Sequence, residues 1–129
     1  ALQDKAIDPI YLLAPTTTDA RAGLVCRASR GFVYYVSLKG TTGSGSLDVT
    51  AVCERVAHLK AQTPLPLFVG FGIKDGATAA PIAEVADGVV VGSAIVTLMG
   101  EFEASPQELK SAVIELVRDI RTALNASNA

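Results

Sequence analysis

Asp87-Gly88-Val89-Val90-Val91-Gly92-Ser93-Ala94-Ile95-Val96-Thr97-Leu98-Met99 is the stretch that decides the fold. Gly88 to Val91 is an apolar run of strand length, and a strand apolar on both faces belongs to a parallel sheet covered on both sides. Gly92-Ser93 turns the chain, and Ser93 to Met99 has the length of a short helix. Such a turn suits an anion. Glycine admits close approach of a ligand to the backbone, and the first amides of a helix carry unpaired N–H groups and partial positive charge. Working outward, Gly70-Phe71-Gly72 follows the apolar run Leu67-Phe68-Val69, and Gly40-Thr41-Thr42-Gly43 follows Phe32-Val33-Tyr34-Tyr35-Val36. Three glycine turns, each after a parallel strand, open at one end of one sheet.

A fourth apolar run, Ile10-Tyr11-Leu12-Leu13, precedes these. Helical segments alternate with the strands: Asp19 to Ala28 after the cap candidates Thr17 and Thr18, Asp48 to Ala61, and Asp75 to Ala86, with Asp75 as its cap. Pro81 predicts a late start or a kink in the third. Pro106 to about Asn125 is the most regular helix, with Ser105 as N-cap and Leu109, Val113, Leu116, Val117, Ile120 and Leu124 on one stripe; the tail from Asn125 is expected to fray. Four βα repeats make a parallel α/β architecture. A doubly wound sheet would have to reverse its strand order. Half of a (β/α)8 TIM barrel fits better, because phosphate sites in that fold recur after strands seven and eight, beside a short extra helix. Residues 1–129 are therefore expected to be one half-barrel domain.

Composition narrows the function. Half of the 129 residues are hydrophobic, enough for a core, and the net charge of −2 comes with no Lys/Arg cluster. Nucleic acid and anionic membranes are thus not expected as partners. Cys26 and Cys53 form no CxxC pair and read as reduced, packed thiols, which points to the cytoplasm. No apolar stretch reaches membrane-spanning length. His58 reads as a residue of a solvated helix face, and Asp48, Glu54, Glu101 and Glu103 read as solvated carboxylates.

Four ordered motifs carry a resemblance: Leu13-Ala14-Pro15-Thr16-Thr17-Thr18-Asp19, Tyr34 to Gly43, Val69-Gly70-Phe71-Gly72-Ile73 and Asp87 to Val96. Together they resemble the C-terminal half of the tryptophan synthase α subunit, over essentially the whole chain. The resemblance implies a lyase of tryptophan biosynthesis that cleaves indole-3-glycerol phosphate to indole and glyceraldehyde 3-phosphate, and passes indole to a pyridoxal-phosphate β subunit. It implies that the amides of Gly43, Gly72, Gly92 and Ser93 hold the phosphate and that Phe71 lies against the indole. Tyr34 would lie near the catalytic carboxylate, while Thr42, in a closing loop, would help position a catalytic aspartate from elsewhere in the barrel. Leu38-Lys39 and Thr41 depart from the pattern, where related sequences often carry an arginine with a small residue, and a valine.

The family's acid and base are two carboxylates of the first half of the barrel, and no segment here resembles their motifs. The chain is expected to supply the phosphate grip without the chemistry, with no cofactor or metal of its own, and to need an N-terminal half barrel or self-association. Ala1-Leu2-Gln3-Asp4-Lys5 looks like the end of a helix whose strand is absent, so the chain reads as a fragment. A noncatalytic phosphate-binding or interaction module is the alternative from another class. A phosphate-sugar isomerase-like half barrel fits less well with the Phe71 context and the Pro15 turn.

Overall fold

The computed structural model describes residues 3–37, 49–70 and 72–127. A short 3₁₀ turn, Gln3–Lys5, leads to β1 (Leu12–Leu13), α1 (Asp19–Ala28), β2 (Val33–Val36), α2 (Val49–Lys60), β3 (Leu67–Gly70), α3 (Gly76–Ala83), β4 (Gly88–Val90), α4 (Ser93–Glu101) and α5 (Pro106–Ser127). The strands lie side by side in the order β1-β2-β3-β4, and every neighbouring pair is parallel. No reversal of strand order occurs, so the arrangement is half of a TIM barrel and not a doubly wound sheet.

Three strands are shorter than their apolar runs: β2 starts one residue late, at Val33, and pairing explains the other two. β1 is an edge that bonds only to β2; the chain comes alongside at Tyr11, whose carbonyl accepts from the Tyr34 amide at 3.1 Å. At the other edge Gly70, the last residue of β3, pairs with Val90, which leaves Val91 without a strand partner.

Alternation along the strands separates two faces. Leu13, Val33, Tyr35, Leu67 and Val69 point one way and are buried under the helices, together with Ala22 and Cys26 of α1, Val52, Val56 and Leu59 of α2 and Ile82 of α3. The other face carries Leu12, Tyr34, Phe68, Gly88 and Val90, and would be the barrel interior. Phe68 stacks on Phe32 with ring centroids 4.5 Å apart. The Tyr34 ring covers Gly70 so closely that a Cβ there would overlap it, and a Cβ at Gly88 would lie 2.9 Å from Phe68 Cε1. Both glycines make room for aromatic rings on this inner face.

The third helix corrects an expectation. It starts without delay at Gly76, because Asp75 and Thr78 form a capping box in which the Thr78 amide donates to Asp75 Oδ1 at 2.8 Å and the Thr78 hydroxyl accepts from the Asp75 amide at 3.2 Å. Pro81 sits inside, and the helix stops two residues later at Ala83. The last helix also departs from expectation: it runs through Ser127 where fraying from Asn125 was predicted. No glycine or proline interrupts it, and Leu124 packs against the cluster of Ile73, Ala79 and Ile120. Among the described residues no helix is long and apolar enough to cross a membrane.

Candidate functional site at the strand ends

Because all four strands are parallel, the turns that follow them share one end of the sheet. After β1, Ala14 to Thr17 close a turn in which the Thr17 amide donates to the Ala14 carbonyl at 2.9 Å and the Thr17 hydroxyl accepts from the Ala14 amide at 3.0 Å. Thr18 is the N-cap of α1 by position, with no side-chain bond to the helix. The end of β2 is fastened to β3 by Ser37, fully buried, whose amide and hydroxyl both donate to the Gly70 carbonyl, at 3.0 and 2.9 Å. Thr42 and Gly43 lie outside the described residues, as does Phe71.

Gly72 follows β3 with φ +85°, in the left-handed region that favours glycine. α3 begins four residues later, and its first amide, Gly76 N–H, donates to Asp119 Oδ2 of α5 at 2.6 Å. The position of the Gly72 turn is therefore held from two sides, by β3 and by a carboxylate from the last helix. After β4, Gly92 is the N-cap of α4, and its carbonyl accepts from the Ile95 and Val96 amides at 3.0 and 3.1 Å. The amides that open α4, beginning with that of Ser93, precede those bonds and have no acceptor within the helix. Gly92 and Ser93 are exposed, and a Cβ at Gly92 would meet nothing within 4 Å. With φ −127° Gly92 is not in a glycine-only conformation either.

The structure thus places Gly72, Gly92 and Ser93 at one sheet end, in turns after adjacent strands. Tyr34 sits lower, on the inner face and half-buried, while its neighbour Tyr35 points into the helix layer. The two described carboxylates at the starts of α1 and α3 are already engaged. Asp19 accepts from Arg55 Nη1 at 2.7 Å, and that bond, with the nearby His58, holds its carboxyl below the usual range. Asp75 is held low by the Thr78 hydroxyl and amide. Neither is poised to carry a proton at neutral pH. Arg55 also donates to the Thr17 carbonyl at 2.7 Å, tying α2 to the first turn. His58 is exposed and 3.2 Å from Asp19 Oδ2, on the helix surface expected for it.

Three positioning residues escaped the sequence reading. Ser37 ends an apolar run with a lone polar side chain, which is a usable signal for a strand-end hydrogen bond. Arg55 and Asp119 sit on the polar faces of regular helices, where nothing in the pattern separates them from solvated charges.

A model of the family described as tryptophan synthase alpha chain matches residues 1–125. The chain belongs to that family. It is 51% identical over 124 residues to the tryptophan synthase alpha chain of Thioalkalivibrio sulfidiphilus, covering 96% of this chain and 47% of that protein. Against the alpha chain of Marinobacter nauticus the identity is 46% over 123 residues, covering 95% and 46%. The fold is similar to the crystal structure of tryptophan synthase subunit alpha from Legionella pneumophila, with TM-score 0.79 and 33% identity over 96% of this chain and 45% of that one. The chain spans about half the length of the family members it matches.

Proposed function

We propose that this chain is the phosphate-gripping half of a tryptophan synthase alpha subunit, and that it binds indole-3-glycerol phosphate for cleavage to indole and glyceraldehyde 3-phosphate. The amides of Gly72, Gly92 and Ser93, with Gly43, take the phosphate, and the start of α4 adds its helix dipole. Phe71 packs on the indole. Tyr34 and Thr42 support the reacting centre, whose acid and base come from the first half of the barrel. The tryptophan synthase beta subunit is the partner that receives indole, and the cytoplasm is the compartment.

The observation that carries this reading is Gly92. Its own chain gives no steric or conformational reason for glycine, since a side chain there would stand in open space at the mouth of the sheet beside Gly72. A ligand seated on the α4 amides supplies the reason. Indole release from indole-3-glycerol phosphate tests the assignment: we expect none from the chain alone and activity when the N-terminal half barrel of a family member is added. Substantial cleavage by the chain alone would move the chemistry into these residues. Phosphate-ester binding without cleavage in the reconstituted pair would favour the noncatalytic module.

A further inference from the structure

Two helices start side by side at the mouth of the sheet, α3 after β3 and α4 after β4. Either start could attract an anion, since both point unpaired amides and a positive dipole end the same way. They are finished in opposite ways. At α3 the chain's own oxygens take the amides. The Lys74 and Asp75 amides both donate to the Thr78 hydroxyl, at 3.0 and 3.2 Å, and the Thr78 amide donates to Asp75 Oδ1 at 2.8 Å. The Gly76 amide donates to Asp119 Oδ2 at 2.6 Å, across 43 residues of chain. At α4 the N-cap is Gly92, which has no side chain to offer the amides of Ser93 and Ala94.

The capping box of Asp75 and Thr78 is local to α3. The Asp119 carboxylate comes from another helix, and its seat is built. A Cβ at Gly76 would lie 3.0 Å from both carboxylate oxygens of Asp119 and from its carbonyl oxygen, so glycine is what lets α5 come this close. The next residue, Ile120, is buried against Ile73 and Ala79, which fixes where on α3 the carboxylate falls. Two carboxylates, Asp75 and Asp119, thus stand at the α3 start with one neighbouring cation, Lys74, whereas α4 has no acidic residue in its first turn. An anion arriving from solvent meets like charge and engaged amides at one helix start, and uncapped amides at the other.

We propose that Asp119 is a specificity-determining residue: it occupies the start of α3 and so directs the substrate phosphate to the start of α4. This role rests on the phosphate reading above, and it explains why one of two adjacent helix starts is used. A single seat fixes the phosphate end of the substrate and leaves the rest of it one orientation over the strand ends.

NMR of the backbone amides of the full chain, titrated with inorganic phosphate, tests it. In the parent the Ser93 amide should move and the Gly76 amide should stay still. In Asp119→Ala the Gly76 amide should move as well, with an affinity at least about tenfold above any response it shows in the parent. Asp119→Asn keeps an oxygen that accepts from Gly76, so it should keep the Gly76 amide silent; a carboxylate that only steadied α5 would leave Gly76 silent in all three proteins. A Gly76 amide that responds in the parent, or stays silent in Asp119→Ala, would overturn the proposal. The Ser93 amide reports separately: if it is silent in every protein while Gly76 responds only in Asp119→Ala, the phosphate reading of α4 falls and the closure of α3 by Asp119 stands. If Asp119→Ala fails to fold, the parent decides, since Gly76 must remain unmoved at the phosphate concentration that saturates Ser93.

Discussion

At the scale of single residues, glycines divide by what they make room for. Gly70 is covered by the Tyr34 ring, so Gly70→Ala must displace that ring or shift β3. Overpacking of this kind costs about 1 to 3 kcal/mol, and urea unfolding should show it as a lower midpoint at unchanged slope. Gly92→Leu should behave in the opposite way. Its side chain meets open space, so the thermal midpoint should hold while glycerol-phosphate affinity of the completed barrel falls at least tenfold, about 1.4 kcal/mol; calorimetric titration reads the difference. Sequence alone marked Gly72 and Gly92 as alike. What separates them is conformational: Gly72 needs its left-handed φ, and Gly92 does not.

Among the elements, α3 shows most plainly how local and distant signals combine. Asp75 and Thr78 form the cap within four residues of sequence, and the helix begins where they place it, without the late start that Pro81 suggested. Asp75→Ala should cost about 1 kcal/mol. Asp119 acts on the same helix start from 43 residues away in the chain, a separation that no periodicity reports. Removing a carboxylate that accepts from a backbone amide costs about 1.5 to 3 kcal/mol, and Asp119→Ala should fall near the low end because the residue is exposed. The two act on one turn of helix, so a double-mutant cycle should give a coupling of at least about 0.5 kcal/mol; strict additivity would mean that Asp119 holds α5 alone. Helix α1, by contrast, was legible to the residue, Asp19 to Ala28, since both its cap position and its end are local. Strand ends were not, because a strand stops where its neighbour stops.

For the whole molecule, architecture was the most legible level and the open faces the least. Apolar runs of strand length separated by helical periods are enough for parallel βα order, but they give the same pattern whether an edge is covered or bare. Acid should reveal the carboxylate framework. The carboxyls of Asp19, Asp75 and Asp87 are all held below the usual carboxylate range in the folded chain; for Asp87 burial pushes upward, and the bonds from Lys60 and the Leu67 amide together outweigh it. A depressed carboxylate binds fewer protons folded than unfolded. Stability from these groups is therefore complete above about pH 5 and is lost as pH falls through and below about 4. Thermal midpoints should stay flat from about pH 5 to 7 on this account, and a decline already under way at neutral pH would assign the acid sensitivity elsewhere.

The bond between Asp119 and Gly76 also makes the mouth of the sheet depend on a residue far along the chain. All four strands precede, in the chain, the carboxylate that steadies the third turn. A chain that stops short of Asp119 has every residue of the sheet and still lacks the second hold on the turn behind Gly72, so the last helix is the one that finishes the mouth.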